Sequence, residues 1–224
     1  MTRSFLPRVD VLPHAQRLLW PQLRPAAALG FTLYGGTAIA LRLGHRESVD
    51  FDFFSEAPLN RVALTAAIPA LAKATTVQDE RNSWVMLVPN DEEPTAFVKL
   101  SFLGTIAFGR VGEPDFTDDG VLRVASLADL MATKVKVVSQ RAEAKDYRDV
   151  AAMLNAGESL PQGLAAACTL FGPNFQPSES LKALTYFHDG DLHALTLADR
   201  TCLVDAVKAV HTLPSAGLMS KSLS

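Results

Sequence analysis

The spacing of apolar residues changes period several times along the chain, and each period predicts an element. In VDFDFF the alternation is strict: Val49, Phe51 and Phe53 fall on one face, Asp50 and Asp52 on the other, the signature of a strand. Upstream, Phe31 to Tyr34 read as a brief strand running into Gly35-Gly36. Thr37 to Leu43 follow as a helix, with Gly44 placed to end it. The segment before about Ala28 predicts a short amphipathic helix with Leu18, Leu19 and Trp20 as packing residues. Pro58 opens a helix to about Ala74. Two β-runs come next, Trp84 to Val88 and Thr95 to Phe102, joined by the turn-rich PNDEEP. A last run spans Gly120 to Val124.

Beyond that point the period is helical. Helices are expected over Leu127 to Arg141 and Asp146 to Leu154, and everything after Gly157 reads as helix broken by GPNFQP and HDGD. Phe171, Phe175, Tyr186 and Phe187 are expected to pack between helices. His188 and His193 flank Asp189 and Asp191, a grouping that fits a capped helix turn better than a metal site. Residues 214–224 are small and polar, and fraying is expected there. The pattern gives an α/β (α+β) N-terminal part, residues 1–125, and a helical C-terminal region, residues 126–224. No internal repeat is visible.

Composition narrows the class. With 224 residues, 48% of them apolar and 20% charged, the chain can bury a proper core and is not a disordered sequence. A net charge of -3 does not advertise a nucleic-acid binder, so any such surface is local. Cys168 and Cys202 are too few for a disulfide framework, which points to a reducing interior. MTRSFLPRVDVLPHAQ has no apolar signal core, and no stretch approaches the roughly 18 apolar residues of a membrane span. A cytoplasmic protein without membrane contact is expected.

Candidate chemistry centres on the two aspartates. Side chains two apart on a strand project the same way, with Cα atoms roughly 6.6 Å apart. Both carboxylates can converge on one or two divalent ions, Mg²⁺ (or Mn²⁺) being suited to oxygen ligands and to bridging phosphates; ions in two-metal sites lie ~3.5–4 Å apart. Gly35-Gly36 before a helix removes the Cβ atoms that obstruct a phosphate, and the first helical N–H groups point at the anion. Thr37 adds a hydroxyl. Against this stands the plain alternative of a solvated strand face after an ordinary turn.

A lysine supplies an independent anomaly. Ser126 is a good N-cap, and Leu127, Leu130, Met131, Val135 and Val138 form one apolar stripe. Lys134 lies within it, about 20° from Leu127 at 100° per residue. A buried ammonium must snorkel, shift its pKa or meet an anion, and a triphosphate would serve. Asp146, with Asp149 three residues on, looks like a helix N-cap. Arg141, Lys145 and Arg148 could receive the phosphates of an acceptor RNA or simply face solvent.

The stretch GGTAIALRLGHRESVDFDF, Gly35 to Phe53, resembles the first motif of the AbiEii/AbiGii nucleotidyltransferase toxin family, a branch of the DNA polymerase β-like superfamily. DLMATKVKVVSQRAEAKDYRDV resembles its later motifs. The resemblance implies a polymerase β-like nucleotidyltransferase fold with a mixed sheet, in which Asp50 and Asp52 hold the metal and Gly35, Gly36 and Ser48 contact the nucleoside triphosphate. It implies that Arg46 orients the motif loop or the phosphates, and that His45 is a loop residue. Lys134 would be the triphosphate-contacting lysine and Asp146 the downstream functional aspartate, both contributed by the C-terminal region. Asp149 is the other acid of that segment. The implied role is the toxin of a bacterial toxin–antitoxin or phage-defence pair, with a cognate antitoxin and RNA such as a tRNA 3′ end, or a protein, as acceptor.

One departure stands out. Many polymerase β-like enzymes carry a third metal-binding carboxylate on a later strand, and the candidate strand here, TAFVKLSFLG, places Phe97, Lys99 and Ser101 on one face with no acid among them. Either a single ion binds well, or the domain keeps fold and nucleotide while transfer is lost.

Overall fold

A computed structural model of the chain describes residues 3–90, 92–93 and 96–224. The chain divides into two compact units. One comprises Met1–Gly109, Glu113–Ala125 and Lys221–Ser224; the other comprises Arg110–Gly112 and Ser126–Ser220.

The first unit is built on a mixed sheet of strands β1 (Ser4–Phe5), β2 (Thr32–Tyr34), β3 (Asp50–Phe54), β4 (Thr75–Glu80), β5 (Ser83–Pro89), β6 (Phe97–Leu103), β7 (Asp115–Thr117) and β8 (Arg123–Val124). Their order is β1-β7-β8-β2-β3-β6-β5-β4. Helices α1 (His14–Leu19), α2 (Pro25–Ala28), α3 (Gly35–Leu43) and α4 (Arg61–Ala67) accompany it. At its centre, β3 runs antiparallel to β2 and parallel to β6. Phe51 and Phe53 are buried on one face of β3. The Phe53 ring stacks on Phe102 at 5.1 Å, Phe102 meets Phe31 edge-on at 5.2 Å, and Trp20 lies 6.3 Å from Phe51. This aromatic layer fixes which face of β3 is turned away from the core, and that is the face of Asp50 and Asp52.

Several boundaries differ from the sequence expectation. Helix α3 begins at Gly35, two residues early, because Gly35 takes φ +76° and bends the chain directly out of β2. Val49 is 50% exposed and lies before β3, so it does not share the core face of Phe51 and Phe53. Leu18 is 38% exposed, whereas Leu19 and Trp20 are buried. The helix expected from Pro58 to about Ala74 is split into α4, capped by Asn60, whose side chain accepts from the Ala63 amide, and a 3-10 helix over Pro69–Lys73. The Gly120 to Val124 run shrinks to β8. Thr95, the expected start of one β-run, and Asp91 and Pro94 of its turn lie outside the described residues, and β6 starts at Phe97.

The tail is not frayed. Leu223 is fully buried, its carbonyl accepts from Thr32 Oγ1 at 3.0 Å, and its amide donates to the Glu56 carboxylate at 3.1 Å. One branched apolar side chain and two hydrogen bonds outweigh the polar composition around it.

The second unit is helical: α5 (Leu127–Val138), α6 (Ala144–Asn155), α7 (Leu160–Phe171), α8 (Pro177–Ala183) and α9 (Leu197–Lys208). Ser126 caps α5 as its sequence predicts, accepting from the Asp129 amide. Asp129 in turn accepts from the Val111 and Gly112 amides at 2.7 and 3.2 Å. Burial pushes the Asp129 carboxyl up despite these bonds and that from Ser126. Helices α5 and α7 approach closely at Gly163, where a Cβ would meet Met131 at 2.3 Å. Of the aromatics expected to pack, Phe175 is buried but Tyr186 is 52% exposed beside His188. Asp191 is spent on structure, accepting from the Ala144 amide at 2.6 Å. No helix among the described residues is long and apolar enough to cross a membrane.

Candidate active site

The register of β2 and β3 sets Tyr34 opposite Asp52, so the turn at Gly35 opens beside the second aspartate. A side chain on Gly35 is excluded twice. Its φ of +76° disfavours any Cβ, and an ideal Cβ would lie 2.7 Å from Asp52 Oδ2. The sequence assigns this glycine to phosphate clearance; in the structure its first neighbour is the carboxylate itself. Tyr34 offers no side-chain cap, so the leading N–H groups of α3 receive no side-chain cap bond there. A helix N-terminus of this kind favours anions through its oriented amides.

Thr37 and Ser48 are both buried, and their hydroxyls are 2.7 Å apart. Thr37 Oγ1 also donates to the Asp50 carbonyl, which leaves the Ser48 hydroxyl as the donor between the two. Gln16 Nε2 donates to the Val49 carbonyl at 2.7 Å. These bonds lock the entry of β3 to the first turns of α3 and of α1. They occupy the Ser48 hydroxyl proton that the resemblance directs at nucleotide and the Thr37 hydroxyl proton that the motif offers beside it. Arg46 is half-buried, with one guanidinium N–H given to the Glu47 carbonyl at 2.9 Å.

Strand β6 flanks the acidic pair on the other side. Lys99 pairs with Asp50 and Ser101 with Asp52 in the parallel register. Lys99 Nζ lies 3.6 Å from Asp50 Oδ2, with both side chains partly exposed. Ser101 is buried. Two carboxylates on one strand face have the oxygen chemistry to hold one hard divalent cation; the neighbouring strand adds a base and a hydroxyl rather than a third acid. Among the described residues, no cluster of three or more acidic, histidine or cysteine side chains is placed to hold a metal.

Lys134, Asp146 and Asp149 meet inside the helical unit. Lys134 Nζ lies 2.5 Å from Asp146 Oδ1 and 2.7 Å from Asp149 Oδ2, all three side chains being buried. Arg141 Nε adds a 2.7 Å bond to the other Asp146 oxygen. Burial raises the Asp146 pKa, but the Arg141 hydrogen bond and the Lys134 charge outweigh it and hold the carboxyl below its ordinary value. The stripe lysine therefore has its counter-charge within its own unit. Asp146 is not the N-cap: α6 starts at Ala144 after Glu143, placing Asp146 in the first turn and Asp149 on the same face. Arg141 and Lys145 are half exposed, and both pair with Glu143, at 3.4 and 2.9 Å.

A mixed sheet carrying an acidic pair beside a glycine turn is the arrangement of nucleotidyltransferase-fold proteins. In line with this, the chain superposes on MenT4, a nucleotidyltransferase toxin from Mycobacterium tuberculosis H37Rv, with a TM-score of 0.58 at 13% identity, covering 88% of this chain and 84% of that one. It also superposes on an antigenic nucleotidyltransferase-like protein from Paracoccidioides brasiliensis, with a TM-score of 0.52 at 15% identity, covering 91% and 94% of the two chains. At these identities the likeness is one of fold. The model of the family described as nucleotidyl transferase AbiEii toxin, type IV TA system, matches residues 19–201, and the chain belongs to that family. An uncharacterized protein of Aquifex aeolicus (strain VF5) is 28% identical over 122 residues, 54% of this chain and 55% of the relative. The chain thus spans about half the length of that curated relative.

Proposed function

We propose that the protein transfers a nucleotidyl group from a nucleoside triphosphate to an acceptor hydroxyl, and that it serves as the toxin of a toxin–antitoxin pair in the cytoplasm. The observation carrying this is the placement of Asp50 and Asp52 on one open strand face beside the Gly35 turn and the uncapped start of α3. Asp50 and Asp52 would hold one Mg²⁺, which when bound would offset charge on the triphosphate. Gly35 and Gly36 leave the leading amides of α3 open to phosphate oxygens, and the Thr37–Ser48 pair holds strand and helix at fixed separation. The aspartates also orient the acceptor hydroxyl for in-line attack on the α-phosphate, with pyrophosphate leaving. RNA such as a tRNA 3′ end is the favoured acceptor and a protein hydroxyl the other; a cognate antitoxin is the expected partner.

Incubating the protein with each α-labelled nucleotide, Mg²⁺ and total RNA tests this, with Asp52→Ala as control. Label on RNA that disappears in the variant supports transfer; label on protein redirects the acceptor. The second reading is a nucleotide-binding protein without transfer, favoured by Lys99 and Ser101 standing where a third acid was sought. Nucleotide binding with no label on any acceptor selects it.

A further inference from the structure

Lys99 and Lys134 both face carboxylates, but in opposite circumstances. Lys134 is enclosed, held by two acids at 2.5 and 2.7 Å. Lys99 reaches one acid at 3.6 Å, and its side chain is 43% exposed against 34% for Asp50. An exposed pair of this kind is screened by solvent and contributes little to stability, so the fold has little need of it. Its position is what matters. The parallel register puts Lys99 beside Asp50 and the uncharged Ser101 beside Asp52, so the row facing the acidic pair contains a cation and no acid.

A divalent ion taken up by both carboxylates leaves this row net positive once Lys99 is counted. A second divalent ion would meet the Lys99 ammonium with no acid from β6 to offset it. We propose that Lys99 restricts the site to one divalent cation and binds the triphosphate, its ammonium leaving Asp50 for a phosphate oxygen when metal-bound nucleotide arrives. The flexible four-carbon stem and the partial exposure allow that move. The inference rests on the nucleotidyltransferase site described above and adds a residue to it.

Mn²⁺ titration of the metal-free full chain, followed by electron paramagnetic resonance, reads the proposal without activity. The unmodified protein is expected to bind one Mn²⁺ that Asp52→Asn abolishes. Lys99→Met is expected to bind that ion on the order of tenfold more tightly, as removal of a unit charge a few ångströms from a divalent ion implies. The same variant is expected to bind a non-hydrolysable Mn²⁺–nucleotide analogue on the order of tenfold more weakly. Lys99→Arg should preserve both values approximately, and Lys99→Glu should admit a second ion. Two Asp52-dependent ions in the unmodified protein, or a Lys99→Met variant unchanged in either affinity, overturns the proposal while leaving the site intact. Absence of any Asp52-dependent ion overturns the site itself and the proposal with it. Thermal melting of each variant confirms that the fold is retained.

Discussion

Gly35 and Asp52 share a volume that only one side chain can fill: a Cβ on the glycine would stand 2.7 Å from the aspartate Oδ2, on a residue already at φ +76°. Gly35→Ala therefore faces a left-handed backbone cost of about 1–2 kcal/mol. It also faces a contact relieved only by moving the Asp52 carboxylate. The expected outcome is a modest drop in melting temperature with a loss of nucleotidyl transfer on the order of 100-fold, since catalysis is sensitive to displacements near 1 Å. Calorimetry and the labelling assay on the same preparation separate the two effects.

Thr37 and Ser48 predict the reverse balance. Their hydroxyls satisfy one another and the Asp50 carbonyl in a buried site. Thr37→Val keeps the shape and strands two polar partners, at a cost of about 1–3 kcal/mol. Urea unfolding should register that loss, and Thr37→Ser should recover most of it. Ser48→Ala should likewise lower stability while nucleotide affinity changes by less than about threefold, a shift of under 1 kcal/mol. A nucleotide affinity that collapses in a fully stable Ser48→Ala variant would show the hydroxyl acting on phosphate.

How far the sequence discloses this arrangement depends on whether the signal is local. Phe51 and Phe53 alternate with the aspartates, so the open face of β3 is readable from six residues. Strand β4 is not, because all six residues of TTVQDE are exposed at a sheet edge, where no apolar alternation is required. The burial of Lys134 follows from its angle on α5, but its partners come from α6, and only pairing of the two helices shows that Asp146 and Asp149 meet it first. Lys99 has the parity of Ser101 in the sequence, yet its neighbour Asp50 is set by inter-strand register, which no local pattern encodes. Leu223 is the extreme case: a single leucine in a polar tail carries no period at all, and its burial depends on Thr32 and Glu56, far away in the chain.

That burial makes a direct test. Leu223 is fully enclosed, so Leu223→Ala is expected to cost about 2–5 kcal/mol, as core truncations do. Chemical denaturation should report a lower midpoint with little change in slope. A loss under about 0.5 kcal/mol, the range of ordinary surface substitutions, would mean that the segment is not seated as described.

The buried ion cluster sets the acid limb of stability. Asp146 has its carboxyl held below the ordinary value of about 3.9, so the folded state binds its proton less readily than the unfolded chain. Its contribution is complete above that ordinary value and is lost as pH falls through the lower, folded one. Protonation removes one of the two counter-charges of a buried Lys134, so a loss of stability is expected. Asp146→Asn removes the charge at every pH. At neutral pH it should therefore cost about 3–5 kcal/mol, the range for breaking one side of a buried pair. Below about pH 4 the difference from the unmodified protein should shrink, because the unfolded chain then takes up a proton at Asp146 that the folded protein takes up only at lower pH. Denaturation midpoints measured from pH 7 down to pH 3 check the prediction. Curves that stay parallel over that range would mean that Asp146 is not charged in the folded protein, and that Lys134 draws its balance from Asp149 alone.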